Sequence, residues 1–217
     1  MKLLIAIPTT DYMHYRFVEC LTKLLRRLDA DEVNYDVFFQ GSTLVYVGRD
    51  RLAQKAMADG YTHMLWLDSD MIFTDDLLDD LMFSGKPFVT GIAHGRRAPH
   101  VSCLFTEIWP GCQRWEGYDY PSAPFKVAGC GFACVLIETR IIKDVWSHYG
   151  TCFFPERELG EDLAFCHRAT DLKHEIWAEP TVKLGHIGHI NIYPEYQGTY
   201  ENSIQGFKEV KEHARQS

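Results

Sequence analysis

No apolar run in this sequence approaches the roughly 18 residues that a membrane-spanning helix requires, and Met1 to Pro8 is too short for the hydrophobic region of a secretion signal. No transmembrane segment is therefore expected. Basic clusters are also missing: beyond Arg26-Arg27 and Arg96-Arg97 the cations are scattered, and 22 Lys and Arg against 30 Asp and Glu leave a formal net charge of −8. A field of that sign repels phosphate backbones, which excludes nucleic acid as a partner. An anionic small molecule is admissible only if a cation accompanies it. The seven cysteines are odd in number and irregular in spacing, so there is no disulfide framework and the setting reads as reducing and cytoplasmic. Internal repeats and low-complexity tracts are absent as well.

What is present is an ordinary globular composition, 46% hydrophobic and 24% charged over 217 residues, enough for one core and one domain. Leu3 to Ile7 is a short apolar run ended by Pro8, the pattern of a strand buried on both faces. Phe17, Val18, Leu21, Leu24, Leu25 and Leu28 recur every three or four residues around Lys23, Arg26 and Arg27, which predicts an amphipathic helix. The alternation continues with a strand over Val33 to Phe39, a helix with Leu52, Ala53, Ala56 and Met57 on one face and Gly60 as its stop, and a strand over Met64 to Leu67. Thr74 is placed to cap a short helix with Asp75 and Asp76 in its first turn, and Lys86 to Ile92 returns as a strand. This order predicts an α/β fold with a mostly parallel sheet covered on both faces. Residues 94–128 read as loops with a hairpin near Val101 to Phe105. A strand over Phe132 to Ile137, helices over Thr139 to His148 and Glu161 to Thr170, and a strand near Glu175 to Trp177 follow. From Tyr200 the sequence is a polar tail.

Three groups of residues could carry chemistry. Asp68 and Asp70 fall at the end of the third strand, where ligands sit in open α/β sheets, and residues i and i+2 of an extended chain face the same way. Both carboxylates could then share a hard cation, Mg2+ or Mn2+, leaving coordination positions for phosphate oxygens and water. The alternative, a turn cap at Asp68 and a solvated Asp70, leaves charge in a costly place beside Trp66 and Met71. In Gly160-Glu161-Asp162, a helix starting here puts both acids at its positive end, which favours the ionised carboxylate a general base needs, although the same acids could serve helix stability alone. In Lys183-Leu184-Gly185-His186-Ile187-Gly188-His189, either imidazole can complete an oxygen-rich metal site, and the glycines allow close backbone approach. Arg49 and Arg51 could reach a phosphate or lie on a solvated helix face. Cys130, Cys134, Cys152 and Cys166 could supply zinc thiolates, but without a second close pair they read better as core residues.

With "GCGFACVLI", "GEDLAFCHR" and "EIWAEPTVKLGHIG" in this order, the chain resembles a GT-A fold glycosyltransferase of the family 2-like type, from Ile5-Ala6-Ile7-Pro8-Thr9 to Gly188. The resemblance implies a Rossmann-like nucleotide-binding half over 1–93, a smaller mixed acceptor and catalytic half over 94–199, and a tail over 200–217. It implies that Pro8 and Thr9 hold the nucleotide, with Arg51 in the donor-binding set. Asp68-Ser69-Asp70 becomes the Asp-x-Asp motif, with Asp70 on the metal and Asp68 on the ribose or the metal. Gly129 to Gly131 would lie under the sugar and acceptor, Asp162 beside Glu161 would deprotonate the acceptor hydroxyl, and His186 would be the third metal ligand. The implied cofactor is Mn2+ or Mg2+, the donor a nucleoside-diphosphate sugar, and the acceptor a glycan, lipid, protein or small molecule. The second-strand acid that reads the base in relatives has no clear counterpart; Gln40 and Asp36 stand nearest. Two other readings compete. A nucleotidyltransferase acting on sugar phosphates would want a glycine-rich basic loop where this chain has Pro8-Thr9-Thr10-Asp11, and a nucleotide-sugar binding module would keep the site without turnover.

Overall fold

The structure, a computed structural model, describes residues 1–188 except Asp11, Ser42 and Ala98. His189 and the tail lie outside the described residues. The chain runs β1 (Lys2–Pro8), α1 (Tyr15–Ala30), β2 (Asn34–Gln40), α2 (Val45–Ala58), β3 (His63–Leu67), β4 (Met71–Ile72), α3 (Leu77–Phe83), β5 (Phe88–Ile92), β6 (Leu104–Glu107), β7 (Gln113–Arg114), β8 (Phe125–Val127), β9 (Gly129–Cys130), β10 (Cys134–Glu138), α4 (Thr139–Tyr149), α5 (Glu161–Asp171), β11 (Ile176–Lys183) and β12 (Gly185–His186).

The central sheet has the order β2-β1-β3-β10-β5-β11-β8. β2, β1, β3, β5 and β11 run one way, and β10 and β8 run against them. The α/β class and the mostly parallel sheet are therefore as expected. β10 departs from strict alternation for a physical reason: it is entered from β9 through the short 131–133 loop, at the edge where β3 and β5 end. A parallel strand would have needed a crossover to the far edge first.

Alternation along β1 sends Leu3, Ile5 and Ile7 to one face and Leu4 and Ala6 to the other, which seeds two separate cores. Phe17, Leu21, Leu24 and Leu28, one stripe of α1, close the first core. α2, α4 and α5 close the second around Trp66, whose ring meets those of Phe132 at 5.9 Å and Phe153 at 5.1 Å. Edge-on ring contacts of this kind add about 1 kcal/mol each beyond burial.

Local details differ from the sequence reading. Asp76, not Thr74, is the residue before α3, and the Thr74 hydroxyl donates to the Asp76 carboxylate instead of capping the helix. The hairpin forms a few residues later than expected, between β6 and β7. β11 runs on to Lys183, because parallel pairing with β5 extends to Lys183 opposite Ile92. Asp36 is not at the ligand edge: it lies within β2 and accepts a 2.6 Å hydrogen bond from the Tyr61 hydroxyl.

Gly129 is a close-approach position. A Cβ there would lie 2.8 Å from Ile108 Cγ2 and 3.3 Å from both Cys166 Cβ and Leu163 Cδ2. Gly129→Ala is expected to cost about 1–3 kcal/mol by overpacking, measured by urea unfolding; an unchanged midpoint would contradict this packing.

Candidate active site

One edge of the sheet collects the chemistry. β1, β2, β3, β5 and β11 all end there, the 131–133 loop enters β10 there, and α2 and α5 begin there. This is the crevice where open α/β sheets bind ligands. Pro8 ends β1, and Thr9 donates its backbone N–H to the Gln40 carbonyl at 3.0 Å, which ties the ends of β1 and β2 together. Gln40 itself is turned aside, its amide donating to the Gly41 carbonyl at 3.0 Å.

The Asp68-Ser69-Asp70 segment is a turn, closed by the Met71 N–H on the Asp68 carbonyl at 3.2 Å. The extended-chain argument for both carboxylates facing one way is thus corrected: the turn sends them to different partners. Asp68 Oδ1 accepts from Arg49 Nη2 at 2.8 Å. Asp70 Oδ2 meets Arg96 Nη1 at 2.8 Å and His186 Nε2 at 3.3 Å. Burial pushes the Asp68 carboxyl up, only partly offset by Arg49. Burial also works to raise Asp70, but the hydrogen bond to His186 and the charges of His186 and Arg96 outweigh it and hold the group below the usual range.

His186 reaches Asp70 through backbone pairing. β12 lies antiparallel to β4 with His186 opposite Met71, and Ile187 N–H donates to the Asp70 carbonyl at 2.8 Å. The other ring nitrogen, Nδ1, lies 2.8 Å from the His94 carbonyl, which fixes the orientation of the ring. His186 therefore sits on a short strand rather than in a solvated loop.

Asp162 stands in the first turn of α5, with Oδ1 accepting the Leu163 N–H at 2.8 Å. Burial, followed by the charge of Glu161, pushes it up to about 6, against the Leu163 hydrogen bond and Arg49. A Cβ at Gly131 would lie 3.5 Å from Asp162 Oδ2, so the glycine keeps that carboxylate accessible from the loop. The loop leading into α5 is fixed by two buried charges. Asp50 accepts the N–H groups of Cys152 at 2.9 Å and Phe153 at 2.7 Å. Arg168 donates to the Cys152 and Phe154 carbonyls, both at 2.8 Å.

Arg49 is the residue the sequence reading underused. Only 3% of its side chain is exposed; besides Asp68 it approaches Glu161 Oε1 at 3.8 Å and lies over the Trp66 and Phe132 rings. Arg51, two positions on, is exposed on the outer side of α2. Helical spacing carried the signal: Arg49 precedes Leu52, Ala53 and Ala56 by three, four and seven residues, so it belongs to the buried stripe. Arg49→Met leaves Asp68 and Glu161 without their buried counter-charge and is expected to cost about 3 kcal/mol in urea unfolding. A loss under about 0.5 kcal/mol would show the pair to be a surface contact in effect.

The four cysteines Cys130, Cys134, Cys152 and Cys166 are buried core thiols, and all seven cysteines are free. Among the described residues no three His, Cys, Asp or Glu side chains form a ready-made metal cluster.

The seven-stranded, mostly parallel sheet with helices on both faces is a mixed α/β fold of the GT-A type. No protein-family model matches the sequence, and neither does any curated protein. The fold is shown by solved structures. The chain is similar to A197 from STIV, at 17% identity over 90% of this chain and 91% of that one, with a TM-score of 0.61. It is similar to GalNAc-T7, crystallised with UDP, GalNAc and Mn2+, at 10% identity over 86% of this chain but only 44% of that one, with a TM-score of 0.54. It is also similar to the catalytic domain of Drosophila β1,4-galactosyltransferase 7 in complex with xylobiose, at 14% identity over 92% and 72% of the two chains, with a TM-score of 0.53.

Proposed function

We propose that this chain is a glycosyltransferase that moves a sugar from a nucleoside-diphosphate sugar to an acceptor hydroxyl, with Mn2+ or Mg2+ on the donor diphosphate. The observation that carries the reading is the gathering of Asp70, His186, Gly131 and Asp162 at the ligand edge of a GT-A sheet. Residues 1–93 form the nucleotide half in this reading and 94–199 the acceptor half.

The donor set fits a hard cation. Asp70 Oδ2 already attracts two cationic or donor groups, Arg96 and His186, at the place where a divalent ion would sit. Asp70 and His186 would hold it, with Asp68 alongside. A cation that keeps water and takes substrate phosphate oxygens needs no three-ligand protein cage, which accords with the open arrangement. When bound, it supplies positive charge to the departing diphosphate.

The chain's own residues do the rest. Pro8 and Thr9 line the nucleotide crevice, with Arg51 as a surface cation for the donor. Arg49 holds Asp68 and Glu161 in place. Gly131 leaves room for the sugar and acceptor, whereas Gly129, expected to share that role, is packed against Ile108, Leu163 and Cys166. Asp162 accepts the proton of the attacking hydroxyl as the new bond forms, and Glu161 beside it keeps its carboxylate basic. Among the described residues no helix is long and apolar enough to cross a membrane, and the free thiols accord with a reducing, cytoplasmic setting. Incubation with a panel of nucleotide sugars and Mn2+ tests the proposal: slow donor hydrolysis or transfer is expected, and binding without turnover would make the chain a binding module instead.

A further inference from the structure

We propose that Arg96 is a resident cation of this site: it competes with the divalent ion for Asp70 and, once displaced, pairs with the donor diphosphate, so that metal and nucleotide bind as a coupled pair. The inference rests on the transferase reading above and states how that site is regulated.

The competition follows from one oxygen. Arg96 Nη1 lies 2.8 Å from Asp70 Oδ2, the same atom that His186 Nε2 approaches at 3.3 Å. A hard divalent ion binds a carboxylate oxygen at about 2.1 Å, so an ion on Oδ2 comes within about 5 Å of Nη1. At that range a doubly charged ion and a guanidinium repel each other strongly. The two cations therefore exclude each other from full contact with Asp70.

Arg96 is free to leave, unlike the other arginine of the crevice. Arg49 is 3% exposed, pairs with Asp68 and lies over two aromatic rings. The Arg96 side chain is 56% exposed, and among the described residues its ionic partner is Asp70. Its backbone, in contrast, is fixed. Gly95 N–H donates to the Val101 carbonyl at 2.9 Å, and His100 Nδ1 lies 3.1 Å from the Gly95 carbonyl. One residue earlier, the His94 carbonyl holds the His186 ring. Both partners of Asp70 are thus set from the 94–96 stretch, and release of Arg96 requires only side-chain rotation.

Charge decides where the guanidinium goes. Displaced by metal alone, it exchanges an ion pair for water. Asp70 together with a diphosphate carries more negative charge than a divalent ion neutralises, and Arg96 supplies the balance. A guanidinium fork matches phosphate oxygens and takes two at once. The chain as a whole, at −8, repels such an anion, which makes a local cation decisive. By linkage, nucleotide and metal then raise each other's affinity by the same factor.

The test is calorimetric titration of Mn2+ into the natural protein, Arg96→Gln and Arg96→Lys without nucleotide. Titration of UDP, GDP, ADP and CDP follows, at saturating Mn2+ and with the metal chelated, and urea unfolding checks that each variant keeps its fold. In Arg96→Gln the affinity for Mn2+ alone is expected to rise on the order of tenfold, while nucleoside diphosphate affinity with Mn2+ falls by a similar factor. Arg96→Lys, which keeps the charge, should stay closer to the natural protein in both. Effects of opposite sign set the proposal apart from a structural contact, whose loss weakens both or neither. It is overturned if Mn2+ alone binds Arg96→Gln no more tightly than the natural protein, or if the diphosphates with Mn2+ bind both equally well. Equal diphosphate affinity of the natural protein with and without metal would also overturn it. Failure of the transferase reading registers separately, as absent nucleoside diphosphate binding in the natural protein with Mn2+; the titration with Mn2+ alone then still shows whether Arg96 competes for Asp70.

Discussion

Replacing Asp70 by Asn is expected to abolish Mn2+-dependent binding of a nucleoside diphosphate, with a loss of at least about 100-fold in affinity. Asp70 is the carboxylate on which two partners converge, the Arg96 guanidinium at 2.8 Å and the His186 imidazole at 3.3 Å from one oxygen. Asparagine keeps the shape but removes the charge that a hard cation requires. The pair with Arg96 is partly solvent-exposed, so its loss should change stability by less than about 1 kcal/mol. Lost binding in a protein that still unfolds at the same urea concentration would therefore report on the site itself. Calorimetry reads it directly, and unchanged affinity would remove Asp70 from the metal site.

Asp162→Asn should leave donor binding intact while turnover falls by about 100- to 10,000-fold, the range for a lost general base. The pH dependence follows from the same carboxyl. Burial and Glu161 raise it to about 6, so activity should fall as pH drops through that value and the base becomes protonated. The effect on stability has the opposite sense. A carboxyl raised when folded disfavours the native state once it is ionised, so the cost is absent below about pH 4, grows between 4 and 6 and stays constant above. Asp162→Asn should then be more stable than the natural protein at pH 8, on the order of 2 kcal/mol, and equal to it at pH 4. A variant that is less active and no more stable at pH 8 would contradict the burial argument.

The first 93 residues were readable because their signals are local. Leu3 to Ile7 and Met64 to Leu67 are uninterrupted apolar runs, and the α1 stripe repeats at helical spacing. The direction of β10 was not readable, since an apolar strand buried on both faces carries no mark of which way it runs among its neighbours. The site was legible as residue types and illegible as partnerships. Nothing local joins Asp70 to His186, 116 residues apart; a two-strand pairing, β4 with β12, does so. The turn at Asp68-Ser69-Asp70 also hid the fact that its two acids face different cations. Arg49 was the exception, since its place on the buried stripe of α2 could have been counted from Leu52, Ala53 and Ala56.

Metal-dependent recognition of a nucleoside diphosphate is the claim on which the rest depends. Calorimetric titration of UDP, GDP, ADP and CDP into the protein, with Mn2+ and again with the metal chelated, measures it most directly. At least one of the four is expected to bind with Mn2+ and to lose that binding when the metal is removed. Failure of all four to bind, or equal affinity with and without the metal, would contradict the account.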